Sequence, residues 1–131
     1  MSRILLVDDH EPVCQTLQVM INDMGHDAVI ALSGQQAIAA HRKAPVDVLL
    51  TDIFMPDMDG YELIQRFRQD FPEVKVIAMT GGIRRVPDGP FLEIAQRIGA
   101  QWLLRKPFGF EQLNKVLVQA TGPAQESPDA K

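Results

Sequence analysis

The chain has 131 residues, of which 46% are hydrophobic, and its formal net charge is -4 at pH 7. This length suits a single globular domain with a real core, and no segment approaches the roughly 18 to 20 uninterrupted apolar residues that a membrane span needs. The acidic balance argues against nucleic acid as a partner, because phosphate backbones are bound mainly through Lys and Arg clusters, so we expect neither nucleic-acid nor membrane partners.

The first ten residues, MSRILLVDDH, contain a short apolar run. The run is four residues long and ends on acids, so it lacks the longer apolar core and the cleavage site of a secretory signal. The single cysteine, Cys14, cannot form an internal disulfide, which fits a reducing compartment. We expect a cytoplasmic protein in which Cys14 is a small, semi-buried helix residue.

Strand-length apolar runs then alternate with helical patterns along the chain. The runs are nearly continuous rather than alternating in polarity, which is typical of strands that are covered on both faces. Pro12 suits the first turn of the first helix, Gly25 its C-terminal cap, and Ser33 the N-cap of the second helix. In chain order, the predicted strand and helix pairs are Arg3–Asp9 with Glu11–Met24, Asp27–Leu32 with Gly34–Arg42, Val46–Thr51 with Tyr61–Arg68, Val74–Thr80 with Phe91–Ala100, and Gln101–Lys106 with Phe110–Ala120.

Strand-helix units in succession predict a parallel sheet whose crossovers place helices on both sides. The predicted fold class is therefore a doubly wound α/β domain with a five-stranded parallel sheet and five helices. We expect this domain to span residues 1–121. Residues 122–131 have no apolar face, and we expect them to be a disordered tail.

Charged and hydroxyl side chains follow four of the predicted strands. Asp8 and Asp9 end the first strand, and Asp52 follows the third. Thr80 ends the fourth strand, and Lys106 ends the fifth. Because ligands bind outside the carboxyl ends of the strands in such sheets, we expect these side chains to form one site.

Three carboxylates in one crevice repel one another, and a bound cation is a usual remedy. A small set of hard oxygen ligands suits Mg2+, which keeps room for water and phosphate oxygens. Lys106 then supplies a positive charge and Thr80 a hydroxyl donor for an anion beside the metal. A carboxylate beside a metal can itself attack phosphorus, so the constellation points to a phosphoryl group on an aspartate.

At these residues the sequence resembles the receiver domains of two-component response regulators. The resemblance extends over about Arg3–Ala120 and implies a flavodoxin-like sheet with strand order 2-1-3-4-5. Jointly the matching segments are specific, whereas any one of them would be weak. They are LLVDDHEPV at Leu5–Val13, DVLLTDIFMPDMDGYEL at Asp47–Leu63, VIAMTGG at Val76–Gly82, and GAQWLLRKPF at Gly99–Phe108.

The resemblance implies a role for each of the acids. Asp52 matches the phosphoacceptor, which takes a phosphoryl group from a phosphohistidine. Asp9 matches the direct Mg2+ ligand and Asp8 the acid that holds the metal through water, while Phe54 offers a backbone carbonyl. Mg2+ is thus the expected cofactor, held by Asp8, Asp9, Asp52 and Phe54.

Two further roles and the partners follow from the same resemblance. Thr80 matches the switch hydroxyl, and Lys106 the residue that pairs with phosphoryl oxygens; the Lys106-Pro107 bond is expected to be cis. The implied partners are a sensor histidine kinase or a histidine phosphotransfer protein, and a downstream protein target. The short tail holds no output domain, so we expect the domain to act alone.

Two departures from the family pattern qualify these roles. Leu103 stands where most receivers have an aromatic residue that moves with the switch hydroxyl, and alternation should point Trp102 to the opposite face. The segment TGGIRRVPDGP after the fourth strand is longer than usual. One hypothesis gives this loop, with Arg84 and Arg85, part of the response to phosphorylation; an ordinary solvated loop is the alternative.

Two other function classes were weighed against this interpretation. A Mg2+-dependent phosphatase with an aspartyl-phosphate intermediate would need an acid two residues after Asp52, where Phe54 stands. A receiver-like module that never carries phosphate would be expected to lack a key residue, and all are present. Asp57 and Asp59 fit turn chemistry before Gly60, not a calcium loop.

Overall fold

The computed structural model describes residues 2–53, 60–80, 97 and 99–121. Its five parallel strands form one sheet in the order β2-β1-β3-β4-β5, which confirms the predicted doubly wound class. The strands are β1 (Arg3–Val7), β2 (Asp27–Ala31), β3 (Val48–Asp52), β4 (Lys75–Thr80) and β5 (Trp102–Arg105). The helices are α1 (Glu11–Asp23), α2 (Gly34–Lys43), α3 (Gly60–Asp70) and α4 (Phe110–Thr121).

Several predicted features lie outside the described residues. These are Phe54, Asp57 and Asp59, nearly all of the helix predicted at Phe91–Ala100, the long segment after β4, and the tail over residues 122–131. The helix count of the described part is therefore four rather than the predicted five. Within this part, no helix is both long enough and apolar enough to cross a membrane.

The sheet separates two apolar layers because successive side chains of a strand point to opposite faces. Leu5, Leu49 and Ala78 pack into the layer that contains α2 and α3. Leu6 and Leu50 pack into the layer that contains α1 and α4. All five residues of β3 are buried, as expected for a central strand covered on both sides.

The ends of the helices follow the local chemistry of the sequence. Ser33 caps α2, and its hydroxyl accepts a hydrogen bond from the Gln36 N–H at 3.1 Å. Gly25 follows α1 with a φ of 93°, a left-handed conformation that glycine adopts without strain. Trp102 packs toward the α1 and α4 layer and Leu103 toward the other, so the predicted opposition of these two side chains is confirmed.

Candidate functional site

Three charged side chains meet where β1, β3 and β5 end. Leu6, Leu50 and Leu104 face the layer of α1 and α4, and Asp8, Asp52 and Lys106 stand two residues further along the same strands. Alternation therefore directs all three charged residues to the same side of the sheet. The Lys106 Nζ lies 2.7 Å from Asp8 Oδ2 and 3.3 Å from Asp52 Oδ2.

Asp9 completes a cluster of acids with Asp8 and Asp52. One carboxylate oxygen from each of the three lies within 4.8 Å of the others. Asp8 and Asp52 are buried, whereas Asp9 is exposed. Hard oxygen donors at this separation, open to solvent on one side, fit a hydrated divalent cation such as Mg2+.

Lys106 is stabilised in its charged form by the two buried acids. Its burial alone would lower the pKa of the ammonium group, but the hydrogen bond to Asp8 and the charge of Asp52 outweigh burial and raise the pKa. The lysine is therefore positively charged throughout the physiological range. Its peptide bond to Pro107 is cis, as the family resemblance implied.

Thr80 ends β4 beside these residues and is fully buried. Its hydroxyl has no hydrogen-bond partner among the described residues. The backbone of Thr80 is joined to the site, because its carbonyl accepts a hydrogen bond from the Lys106 N–H at 3.0 Å. A buried hydroxyl without a partner is unfavourable, so Thr80 can gain free energy when an acceptor such as a phosphoryl oxygen comes within reach.

The backbone carbonyls of the two buried acids accept hydrogen bonds from side chains for which the sequence predicted no part in the site. The thiol of Cys14 donates to the Asp8 carbonyl, with sulfur and oxygen 3.3 Å apart. The hydroxyl of Thr51 donates to the Asp52 carbonyl at 2.9 Å. Cys14 is fully buried, so the prediction of a semi-buried residue was wrong, because α1 turns this position directly onto the end of β1.

Backbone groups also surround the acids. The His10 N–H donates to Asp8 Oδ1 at 3.0 Å. The Gly60 N–H donates to the Ile53 carbonyl at 2.6 Å, and a Cβ on Gly60 would overlap the carbonyl oxygen of Asp52. Glycine is therefore required where α3 begins, and the need arises from close backbone approach rather than from the turn alone.

An apolar groove lies immediately beside the site, between α1 and the segment that follows β5. Its volume is about 400 Å3, and Lys106 forms part of its wall. Most of the remaining lining is apolar, from Pro12, Val13, Leu17, Met20, Pro107 and Phe108.

The sequence model of the response regulator receiver domain matches residues 4–118. A response regulator receiver protein of Anaeromyxobacter is 38% identical over 107 residues, which cover 82% of this chain and 43% of the relative. The virulence sensor protein BvgS of Bordetella pertussis is 32% identical over 139 residues, covering 98% of this chain and 11% of its own length. The chain thus spans less than half of the length of both relatives.

Solved structures give the same result for the fold. The chemotaxis protein CheY4 of Vibrio cholerae superposes with a TM-score of 0.81 at 28% identity, covering 92% of this chain and 98% of that one. The signal receiver domain of an HD domain-containing protein from Pseudomonas fluorescens superposes with a TM-score of 0.81 at 30% identity, covering 92% and 94%. These similarities cover nearly the whole of the described part of the chain.

Proposed function

Because the chain belongs to the family of response regulator receiver domains, we propose that it carries a phosphoryl group on Asp52. The donor is the phosphohistidine of a sensor histidine kinase or a histidine phosphotransfer protein. The observation that carries this proposal is the geometry at the sheet edge. Lys106 contacts Asp8 and Asp52 there. One carboxylate oxygen from each of Asp8, Asp9 and Asp52 lies within 4.8 Å of the others.

In the proposed transfer, a carboxylate oxygen of Asp52 bonds to phosphorus as the bond from phosphorus to the donor imidazole nitrogen breaks. The leaving nitrogen keeps the electron pair of that bond. A bound Mg2+ would supply positive charge for the phosphoryl oxygens; Asp9, Asp52 and the backbone carbonyl of Phe54 would hold it directly, and Asp8 would hold it through water. Lys106 turns from the carboxylates toward the phosphoryl oxygens, to which it offers a charged donor.

Thr80 supplies the response in this proposal. Its hydroxyl, which has no partner among the described residues, donates to a phosphoryl oxygen and biases the domain toward a second conformation that a downstream protein binds. Leu103 is aliphatic and faces the layer of α2 and α3, so the movement does not depend on an aromatic ring at that position. The loop after β4 lies outside the described residues, and its part in the response to phosphorylation stays a hypothesis.

The expectation that the domain acts alone also stays a proposal. A single-domain regulator would signal by direct contact with its target or by relaying the phosphoryl group to a phosphotransfer histidine. The mass of the protein isolated from its native cells tests this directly. A mass that corresponds to a receiver domain without further domains would support the proposal, and a larger mass would show that the receiver belongs to a longer chain.

Incubation with acetyl phosphate and Mg2+, followed by intact mass measurement, tests the function. We expect one phosphoryl adduct on the wild type and none on Asp52→Asn. The matched control is Asp23→Asn, since Asp23 is an exposed acid of α1 and should leave the adduct unchanged. No adduct on the wild type, or an adduct that survives in Asp52→Asn, would overturn the proposal. Sustained release of phosphate from small phosphoesters would favour a phosphatase instead.

A further inference from the structure

The two buried acids of the cluster share a feature that their proposed roles do not explain. The backbone carbonyl of each accepts a hydrogen bond from a fully buried side chain that lies outside the acid cluster. For Asp8 the donor is the thiol of Cys14, and for Asp52 it is the hydroxyl of Thr51. Two separate elements, α1 and β3, thus supply the same kind of contact.

The chemistry of both donors suits a constant structural contact. The Cys14 thiol is the donor in its contact with the Asp8 carbonyl, because a carbonyl oxygen can only accept, so the sulfur carries its proton there. A protonated, buried thiol is a hydrogen-bond donor and is a poor nucleophile and metal ligand. The Thr51 hydroxyl carries its proton at every physiological pH.

Each of these hydrogen bonds fixes the orientation of the peptide group that follows an aspartate of the cluster. The Asp8 carbonyl belongs to the peptide between Asp8 and Asp9, so its orientation sets backbone angles of both acids. The Asp52 carbonyl belongs to the peptide between Asp52 and Ile53, whose N–H also donates to the Met79 carbonyl at 2.9 Å. The peptide after Asp52 is therefore held at its carbonyl and at its N–H.

We propose that Cys14 and Thr51 are positioning residues that preorganise the acid cluster for a divalent cation. Three carboxylates repel one another, so without restraint their lowest-energy arrangement is further apart than a shared cation requires. Hydrogen bonds that hold metal ligands in place raise the affinity for the metal, although their donors do not contact it. The inference rests on the proposed function only in that the acid cluster binds the cation.

Titration with Mn2+, followed by its paramagnetic signal and by competition with Mg2+, tests this proposal. Cys14→Ala and Thr51→Val remove the donors, and we expect each to weaken Mn2+ binding by about 10-fold, at the lower end of the range for groups that support metal ligands. Cys14→Ser and Thr51→Ser keep a donor at each position. We expect them to bind Mn2+ within about 3-fold of the wild type, because the supporting hydrogen bond is retained.

A metal-free measurement separates positioning from a general loss of stability. We expect the amide hydrogens of Asp9 and Ile53 to exchange faster in the two variants that lack a donor than in the serine variants. The control is Leu117→Ala, which truncates a buried side chain of α4 and should lower the melting temperature while leaving Mn2+ affinity unchanged.

The outcomes are distinct. Wild-type affinity in both donor-less variants would overturn the positioning roles and leave the proposed function intact. Equal loss of affinity in the serine variants and in Leu117→Ala would also overturn them, because the loss would then reflect stability alone. If the wild type binds no Mn2+, the cation part of the proposed function fails, and this inference fails with it.

Discussion

At the residue scale, Lys106 stabilises the buried acids and would also compete with a metal ion for them. Its ammonium group is the positive charge that stabilises buried Asp8, at 2.7 Å, and it lies at 3.3 Å from Asp52. A cation bound by the same acids would take over part of that stabilisation. The lysine and the metal therefore compete for the carboxylates, and a phosphoryl group offers the lysine an alternative partner.

Replacement of Lys106 by Met should reveal this competition. We expect Lys106→Met to lower the free energy of unfolding by roughly 3 kcal/mol in the absence of metal, since Asp8 then keeps a buried charge without its partner. Mn2+ should bind more tightly than to the wild type and restore part of the lost stability. Denaturant unfolding with and without metal measures both effects.

The control for this variant is Lys115→Met, which removes an exposed lysine of α4. It should change neither the metal affinity nor the stability by more than a few tenths of a kcal/mol. Weaker Mn2+ binding by Lys106→Met would contradict the competition.

The environment of His41 makes the stability of the domain depend on pH. The ring is buried between α2 and α3, with its centroid 4.3 Å from that of Phe71 and 5.3 Å from that of Phe67. Its Nδ1 accepts a hydrogen bond from the Val46 N–H at 3.1 Å, so this nitrogen carries no proton. Burial lowers the pKa of His41, and the charge of Glu73 opposes this only in part.

We expect the free energy of unfolding to fall as pH drops below about 6.5, because the unfolded chain then binds a proton that folded His41 does not. Above that pH both states are neutral, and the effect vanishes. His41→Gln, which keeps an acceptor, should flatten the acid slope although it is less stable. The pKa of His26 is also lowered by burial, so the comparison is made in a His26→Gln background. An unchanged slope in His41→Gln would contradict this account.

At the element scale, the start of α3 packs closely against the end of β3. The backbone of Gly60 approaches the Asp52 and Ile53 backbone so closely that there is no room for a Cβ. The helix that follows β3 therefore packs directly against the backbone of Asp52, the proposed phosphoacceptor.

Gly60→Ala should separate α3 from β3 and displace Asp52. We expect a loss of about 1 to 3 kcal/mol of stability, as for overpacking elsewhere, together with weaker Mn2+ binding. The matched control is Gly109→Ala, where a Cβ would make only an ordinary contact with the Gln112 side chain. Equal melting temperatures for the two variants would show that the contact at Gly60 is not restrictive.

The elements themselves could be predicted from the sequence because apolar runs and helix caps are local signals. The end of β1 was placed at Asp9, two residues beyond its observed end at Val7, since acids after an apolar run do not show where the ladder stops. The contacts of Cys14, Thr51 and Gly60 had no such local signal. They depend on how α1, β3 and α3 pack, so only the structure could reveal them.

At the scale of the whole molecule, the layers on the two sides of the sheet divide the site. Asp8, Asp52 and Lys106 each stand two residues after a leucine that faces α1 and α4. Thr80 stands two residues after Ala78, which faces α2 and α3. The gathering of charged groups was predictable from strand ends alone. The placement of Thr80 on the other face of the sheet was not predictable, because it depends on which helices cover each face.

Cation binding should stabilise the whole domain, since a ligand that binds only the folded state raises its stability. We expect the melting temperature to rise with Mg2+ concentration and to return to the metal-free value on addition of a chelator. Asp9→Asn removes an exposed member of the cluster, so it should fold normally but lose most of this response. A Mg2+ response of full size in Asp9→Asn would exclude the acid cluster as the binding site.

The central claim is that Asp52 alone carries the phosphoryl group. Reduction of the acyl phosphate with borohydride converts the modified aspartate to homoserine, and peptide mass mapping then locates it. After treatment with acetyl phosphate and Mg2+, we predict homoserine at position 52 and at no other acid. Homoserine at Asp8, Asp9, Asp57 or Asp59, or its absence from every peptide, would contradict the account.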